Sequence, residues 1–428
     1  MIPLQSVALA TTDLLILITL LSVVLFALGI PIYLVFGVWA LAYHLVVPTF
    51  PVVNMSLAHY EELQTFPFTA IPLFILVGDL IREAGIAKDV IEFAHEVVGW
   101  VPGSSGNTAI GTAGIFSAIT GSNAATTASV GSALYPTLRD EGYKDDYAAG
   151  TIAAGGVLGA IIPPSILLII YGVTFGVSIV DLFVAGVIPG LAMLVVLVGI
   201  NSYIARKNGY GVVTEFGINP RRIAVTAWNA KVGLGTIVVL LGGIFLGIFT
   251  PTESAAVAVV YILISAVASK KITSLNQILR ASYSSIILIG IIIPMVVTSI
   301  LIQQGLSNLG LQEAISDGVI ALGHPVLVIL AIVLIVLVAG AVLDSTPNLL
   351  ITAPMLAGAA ASLGWEPVTW GIIFMMGDSI GFITPPYGLN LYIISGIADI
   401  DYIKVARAAL PHLFGLILVW LGFMIFYL

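Results

Sequence analysis

The stretches that decide the fold are Gly159-Ala-Ile-Ile-Pro163-Pro164 and Gly381-Phe-Ile-Thr-Pro385-Pro386, because each interrupts a long apolar segment. They contain the only two Pro-Pro pairs of the chain and lie 222 residues apart. A proline removes a backbone donor and breaks the hydrogen bond to the residue four positions earlier. Two prolines after a glycine therefore predict an unwound point in each segment, and the matching positions indicate an internal repeat.

Further anchors follow a similar offset, between 218 and 223 residues. The matching pairs are Gly29-Ile-Pro31 with Gly247-Ile-Phe-Thr-Pro251, Ile71-Pro72 with Ile293-Pro294, Gly85 with Gly305, and Ser122 with Ser345. Each half contains an odd number of predicted membrane crossings, so the two halves have opposite orientations. We therefore expect an inverted-topology repeat, a plan that many secondary transporters use.

The composition places both halves in a membrane. The chain has 428 residues, of which 59% are hydrophobic and only 8% charged, whereas soluble domains average roughly 25% charged residues. Its apolar runs have the length that spans a bilayer as helix, which predicts an all-α polytopic membrane protein. The absence of cysteine excludes thiolate metal sites, and a net charge of −8 leaves no basic face for nucleic acid. No Walker or Rossmann pattern is present, so we expect no organic cofactor.

The charge pattern predicts the orientation. If the N-terminus lies outside and the hairpins return to their own side, all 14 Lys and Arg residues fall in inner loops. This distribution follows the positive-inside rule. It predicts two periplasmic termini and a cytoplasmic connector at 206–231.

The connector separates two repeats, at 1–205 and 232–428. In the first repeat the sequence predicts an interfacial helix at 86–99, a re-entrant hairpin at 101–137 and a broken helix at 147–179. The corresponding parts of the second repeat are predicted at 307–322, 325–363 and 367–397. The hairpins are rich in Gly, Ser, Thr and Ala, and such segments are tolerated at membrane depth when they are buried in protein or line a cavity.

The two hairpin tips carry the polar groups that a transported solute needs. They read Ile119-Thr-Gly-Ser-Asn123 and Leu343-Asp-Ser-Thr-Pro-Asn348. Each tip opens a helix whose N-terminal amides suit an anionic group. Hydroxyls and the carbonyls freed at the breaks are hard oxygen ligands, and without a dense carboxylate cluster they suit Na⁺ better than Ca²⁺. We expect two quasi-symmetric pockets, each formed by a tip and a break, and hence two or more coupling ions.

The predicted site residues follow from this arrangement. The predicted Na⁺ ligands are Thr120, Gly121, Ser122, Asn123, Gly159, Ile162 and Pro163 in the first pocket, and Asp344, Ser345, Thr346, Gly381, Thr384 and Pro385 in the second. The predicted substrate contacts are Ser122, Asn123, Thr126, Ser165, Asp344, Ser345, Asn348, Pro386 and Tyr387. Acids at membrane depth are candidates for function, which adds Asp378 and Glu253, with helix capping as the alternative interpretation. Asp79 is interpreted as structural or interfacial.

Motifs in both halves resemble a known family. They are Gly121-Ser-Asn-Ala-Ala-Thr-Thr-Ala, Gly142-Tyr-x4-Ala148-Ala-Gly, Gly155-Gly-x2-Gly159-x3-Pro-Pro-Ser165, Pro251-Thr-Glu-Ser254-Ala and Thr384-Pro-Pro-x-Gly388. Together they are similar to the large membrane subunit of the tripartite ATP-independent periplasmic (TRAP) transporters. The resemblance implies an elevator-type transporter of the ion transporter superfamily, driven by a Na⁺ gradient. It also implies that 1–81 and 232–302 are scaffold arms and that the interfacial helices link them to a moving domain.

The resemblance further implies partners and a location. A periplasmic binding protein would deliver an organic acid, such as sialic acid or a C4-dicarboxylate, and a small subunit of four membrane helices would join this chain. Only about 12 residues precede the first predicted span, so we expect the small subunit on a separate chain. The expected location is the inner membrane of a bacterium or archaeon.

Two other functions remain open from the sequence. One is a stand-alone Na⁺- or H⁺-coupled carboxylate carrier or exchanger of similar architecture. The other is an intramembrane enzyme, which would need a paired nucleophile and base inside the membrane. No Ser/His or Asp/Asp pair at helical spacing supports it, so we expect no enzymatic activity.

Overall fold

The computed structural model describes residues 4–47, 69–211 and 217–428, with side chains from residue 13 onward. These residues form α-helices and short connections and contain no β-strand. The predicted all-α fold class is therefore confirmed for the described part of the chain.

The helices divide into two series around the connector. The first series is α1 Leu4–Ala27, α2 Ile32–Val46, α3 Ala70–Glu83, α4 Ala87–Val98, α5 Ser104–Thr120, α6 Asn123–Asp140, α7 Asp145–Gly156, α8 Ile166–Phe175 and α9 Ile179–Asn208. The connector contains α10 Pro220–Asn229. The second series is α11 Lys231–Phe245, α12 Pro251–Ala268, α13 Leu275–Asn308, α14 Leu311–Ile320, α15 Pro325–Gly340, α16 Ser345–Ser362, α17 Pro367–Gly381, α18 Leu389–Ala398 and α19 Tyr402–Phe426.

Several helices have the length and polarity of membrane spans. Among the described residues, four helices (α9, α12, α13 and α19) have at least 18 residues and are apolar enough to cross a bilayer. Five shorter apolar stretches have 10–17 residues, among them α2, α8, α15 and α18. Prolines limit the length of these segments. Pro31 and Pro325 stand at helix starts, and the two Pro-Pro pairs lie inside the breaks.

Two pairs of consecutive helices form hairpins, and their surroundings differ. The α5–α6 pair turns at Gly121 and Ser122, and α15–α16 turns at 341–344. Nearly every residue of α5 is buried, because its Ser, Gly, Ala and Thr side chains allow neighbouring helices to approach closely. In α15 only five of 16 residues are buried, because its Val, Ile and Leu side chains face outward, as in a lipid-contacting helix.

Each Pro-Pro pair lies in a segment without regular α-helix. In the first repeat α7 ends at Gly156, a 3₁₀ turn covers Val157–Ala160, and α8 begins only at Ile166. In the second repeat the helix is absent between Gly381 and Leu389. Both Pro-Pro peptide bonds are cis. Several carbonyls of these segments accept turn hydrogen bonds, such as Gly381 O from the Thr384 N–H at 3.0 Å, and Gly159 and Gly381 lie against the hairpins.

The hairpins and broken helices of both halves pack into one bundle. The second helix of the first hairpin, α6, contacts α18, and the second helix of the other hairpin, α16, contacts α8. Tyr171 of α8 also donates a hydrogen bond to the Pro367 carbonyl across the two halves, at 2.7 Å. The helices α2, α3, α12 and α13 pack on one another in the order α2–α13–α3–α12, and α13 also contacts α16 of the bundle.

The boundaries differ from the sequence predictions at two places. The predicted span at 284–302 is part of α13, which extends from Leu275 to Asn308 and therefore takes up the start of the predicted interfacial helix at 307–322. The remaining helix, α14, covers Leu311–Ile320. A capping box at Ser274 and Gln277 starts α13 ten residues before its apolar run, and hydropathy alone does not detect this polar first part.

Candidate functional site

The first candidate pocket forms where the hairpin tip at Gly121–Asn123 meets the break at Gly159. A Cβ atom added to Gly159 would lie 2.4 Å from the carbonyl carbon and oxygen of Ser122. A Cβ on Gly121 would lie 2.8 Å from the backbone nitrogen of Ile166, and Gly121 has φ +59°. Glycine is therefore required on both sides of this contact, since any side chain would separate the tip from the break.

Polar groups connect the first tip to the break. The backbone N–H of Ala160 donates to Asn123 Oδ1 at 2.7 Å, so the tip satisfies a donor of the unwound segment. Thr120 and Thr126 join their hydroxyls at 2.9 Å across the turn. Asn123 Nδ2 is buried and has no hydrogen-bond partner among the described residues. The first pocket therefore holds an unused amide donor.

The second candidate pocket also brings a glycine of the break into backbone contact with a hairpin, here between Gly381 and Gly340. A Cβ on Gly381 would lie 2.7 Å from the Gly340 carbonyl carbon, so the end of α15 touches the second break. Gly388, with φ +48°, then allows the chain to turn back into α18. Both pockets thus depend on a glycine that brings a hairpin into backbone contact with a break.

Asp378 distinguishes the second pocket from the first. Its carboxylate accepts a hydrogen bond from Ser345 Oγ at 2.6 Å and one from Asn348 Nδ2 at 2.7 Å. All three side chains are buried. Asn348 Oδ1 and the neighbouring Ser379 Oγ are buried without a partner among the described residues. The second pocket therefore combines a carboxylate with unused oxygen atoms.

The other predicted site residues lie at the edges of these pockets. Ser165 is buried at the N-cap of α8, where its Oγ accepts from the Leu168 N–H. Thr384 Oγ1 donates to the Ile380 carbonyl at 2.9 Å. Pro163 is buried, whereas Pro386 and Tyr387 are exposed. The first break is therefore enclosed, and the second has one open side.

Two of the remaining candidate acids, Glu253 and Asp79, are explained by local structure. Glu253 forms a capping box with Thr250 at the start of α12, which matches the capping interpretation. Asp79 accepts from Arg82 at 2.8 Å and from Ser285 Oγ at 2.7 Å, so it joins α3 to α13. Asp344 stands at the N-cap position of α16. The acid that Ser345 and Asn348 contact is Asp378.

Sequence reasoning left two residues out of the predicted ligand set. Asp378 was a candidate acid only, because its contacts with Ser345 and Asn348 span 33 and 30 residues. Asn390 is fully buried in α18, and its Nδ2 donates to the Ala153 carbonyl of α7 at 3.1 Å. In each case the sequence shows a polar residue in an apolar helix, which is a detectable signal. It does not show which residue the polar side chain contacts.

The fold and these pockets define a class of protein. Long apolar helices, two hairpins and two interrupted helices with polar groups at the interruptions are typical of multi-pass membrane transporters. Comparison with known proteins then identifies the family. Residues 19–427 match the family described as "Tripartite ATP-independent periplasmic transporter, DctM component". The chain belongs to this family, so the TRAP large-subunit assignment is confirmed and the protein is a multi-pass membrane permease.

Two curated relatives are similar along most of their length. The chain is 32% identical over 410 residues to the C4-dicarboxylate TRAP transporter large permease protein DctM of Rhodobacter capsulatus, with 92% of each protein covered. It is 32% identical over 358 residues to the sialic acid TRAP transporter large permease protein SiaM of Vibrio cholerae, with 83% of each covered. These two relatives are named for different organic acids.

A solved structure supports the fold alone. The chain is similar to the YdaH transporter of Alcanivorax borkumensis with a TM-score of 0.55 and 13% sequence identity. The match covers 86% of this chain and 87% of that one. At this identity the similarity describes architecture and carries no statement on substrate.

Proposed function

We propose that this chain is the permease that imports an organic acid, of the sialic acid or C4-dicarboxylate class, by Na⁺ symport. A periplasmic binding protein delivers the substrate, and a small four-helix membrane subunit completes the complex in the inner membrane, with both termini of the large subunit periplasmic. The family assignment and the names of the relatives support this proposal.

The observation that carries the proposal is the polar content of the second pocket. Asp378 and Asn348 place a carboxylate and an amide oxygen without a partner among the described residues beside the second break, and the buried Ser379 follows Asp378 in the chain. Hard oxygen ligands that are dehydrated and buried fit an alkali cation, which takes the place of missing hydrogen-bond donors. We therefore add Asp378 to the proposed Na⁺ region that includes Asp344, Ser345 and Thr346.

The first pocket supports a role for Asn123 toward the substrate. Since the Ala160 N–H donates to Asn123 Oδ1, the orientation of this amide is determined and its free group is a donor. A buried, unpartnered N–H₂ group repels a cation and favours a carboxylate. We assign the Asn123 side chain to the substrate and leave Na⁺ in this pocket to hydroxyl and carbonyl oxygens.

The division of the helices supports an elevator movement. The bundle that contains both hairpins and both broken helices joins the two halves through contacts such as Tyr171 with Pro367. The helices α2, α3, α12 and α13 pack on one another and meet this bundle where α13 contacts α16 and α3 contacts α5. We propose that the bundle moves as a unit relative to this group and carries the substrate across the membrane.

The test is uptake into proteoliposomes that hold this chain and its small subunit, with a loaded binding protein outside. An inward Na⁺ gradient is compared with an equal K⁺ gradient. We expect accumulation only when both Na⁺ and the binding protein are present. Uptake with K⁺ alone would contradict Na⁺ symport, and uptake of free substrate without the binding protein would favour the stand-alone carrier.

A further inference from the structure

The connector helix α10 has an orientation that the transport mechanism does not explain. Its axis meets that of α11 at 82°, with only Ala230 between Asn229 and Lys231. The apolar helix α11 begins at Lys231, so its first turn marks the boundary between bilayer and water. With α11 crossing the bilayer, a helix nearly perpendicular to it at this level is expected to lie along the membrane surface.

The two faces of α10 have different environments. Ile223, Thr226 and Ala227 are partly buried, and α10 packs on α4 and α11. Arg221, Val225 and Trp228 follow at spacings of four and three residues and therefore form one outward stripe. Val225 is 54% and Trp228 69% exposed. This stripe combines a cation, an aliphatic side chain and an indole.

A second cation stands beside the stripe. Lys231 Nζ lies 4.6 Å from the centroid of the Trp228 ring. Among the described residues neither Arg221 nor Lys231 forms an ion pair, whereas Lys271 pairs with Asp89, and Arg280 with Glu83. Trp and Lys side chains next to a span are typical of the membrane–water interface, where the indole lies at headgroup level.

We propose that the outward stripe of α10, formed by Arg221, Val225 and Trp228 together with Lys231, docks the headgroups of anionic phospholipids. Val225 and Trp228 enter the interface, and the two unpaired cations bind the headgroup phosphates. The occupant is a lipid surface because the helix lies at the membrane boundary. It is anionic because the stripe adds two positive charges and no acid to a chain whose net charge is −8.

Quenching by brominated lipids tests this surface on the full chain in vesicles of phosphatidylcholine. Either a fraction of brominated phosphatidylglycerol or the same fraction of brominated phosphatidylcholine is included. The chain has six tryptophans, so the Trp228 contribution is taken as the difference from the Trp228→Phe variant. We expect brominated phosphatidylglycerol to be preferred by about thirtyfold at low salt, since each basic residue near an anionic surface contributes about 1 kcal/mol.

A matched pair of double variants separates the stripe from general charge. Arg221→Gln with Lys231→Gln should remove most of the preference, while Lys207→Gln with Lys404→Gln, which removes two exposed cations elsewhere, should leave it intact. Three results would overturn the proposal. They are a Trp228 contribution that no lipid quenches, equal quenching by both lipids, and a signal that disappears when the small subunit is reconstituted with the chain. None of these readouts depends on Na⁺ or on substrate.

Discussion

At the scale of single residues, the site depends on residues that cannot be replaced without a steric clash or the loss of a buried charge. Gly159 has no room for a Cβ next to Ser122 and Asn123. Asp378 is a buried carboxylate with a donor on each oxygen. Losing a hydrogen bond to a charged group costs about 1.5–3 kcal/mol, and leaving a buried donor unpaired adds to this.

Asp378→Asn therefore tests the proposed Na⁺ region at constant volume. The variant replaces an acceptor oxygen by an N–H₂ group that faces Ser345 or Asn348 and removes the negative charge. We expect at least about a tenfold loss of Na⁺-driven uptake, equivalent to about 1.4 kcal/mol. Asp79→Asn is the matched control, because Asp79 is also buried and doubly hydrogen-bonded. Asp79→Asn should lower thermal stability and leave the Na⁺ concentration for half-maximal uptake unchanged.

An unchanged Na⁺ response in Asp378→Asn would remove Asp378 from the proposed Na⁺ region.

Gly159→Ala tests the backbone contact at the first pocket. The added methyl group meets the Ser122 carbonyl and the Asn123 nitrogen at 2.4 and 2.6 Å, and overpacking of this kind costs about 1–3 kcal/mol. We expect reduced uptake and a lower melting temperature. Gly199→Ala in α9 has nothing within 4 Å and should be neutral or slightly stabilising. Equal behaviour of the two variants would mean that the tip does not need to touch the break.

At the scale of elements, the start of a helix accounts for an acid that looks functional because it lies near a membrane boundary. Glu253 lies near a membrane boundary, yet its Oε2 accepts from the Thr250 N–H at 2.8 Å, and its own N–H donates to Thr250 Oγ1. This reciprocal pair satisfies two orphan donors of α12. Its local role is structural.

The capping box predicts the phenotype of Thr250→Ala and Glu253→Gln. Thr250→Ala should destabilise the protein by about 1 kcal/mol, seen as a lower midpoint in thermal unfolding in detergent. Glu253→Gln keeps the acceptor and should cost less. Both variants should retain the Na⁺ dependence of uptake, and a changed Na⁺ affinity in Glu253→Gln at normal stability would assign Glu253 to the transport site instead.

At the scale of the whole molecule, the proposed movement predicts which introduced cross-links between helices should block transport. A Cβ on Gly78 of α3 would lie 3.7 Å from the Cα of Thr120 in the first hairpin, and one on Gly37 of α2 would lie 3.6 Å from Thr298 Cγ2 of α13. Both pairs of positions are neighbours in space, so an introduced cysteine pair at each can be tested for disulfide formation. The chain has no cysteine, so an introduced pair has no competing thiol.

Oxidation should stop the uptake that Gly78→Cys with Thr120→Cys retains without the Thr120 hydroxyl, and reduction should restore it to that level, because the disulfide joins the bundle proposed to move to the group of α2, α3, α12 and α13. Gly37→Cys with Thr298→Cys lies inside that group and should transport in both states. Uptake is measured in proteoliposomes before and after addition of a reducing agent. Transport by the oxidised Gly78–Thr120 variant would contradict relative movement at this contact.

Much of the architecture is local information and could be read from the sequence. Hydropathy and low charge determine an all-helical membrane protein, since apolar runs must satisfy their own backbone groups in lipid. Pro-Pro pairs interrupt helices wherever they occur, and the motifs around them identify the TRAP family. The polar first part of α13 and the helix α10 were not predicted, because neither belongs to an apolar run.

The tertiary structure alone decided which polar groups meet. Asp378, and not Asp344, accepts the hydrogen bonds of Ser345 and Asn348. Asn390 donates a hydrogen bond to the carbonyl of Ala153, which lies 237 residues away in the chain. The sequence determined the helices, the breaks and the family through interactions within a few residues. The partners of each buried polar side chain depend on how helices from both halves pack together, because a hydrogen bond requires an atomic distance near 3 Å that no spacing along the chain specifies.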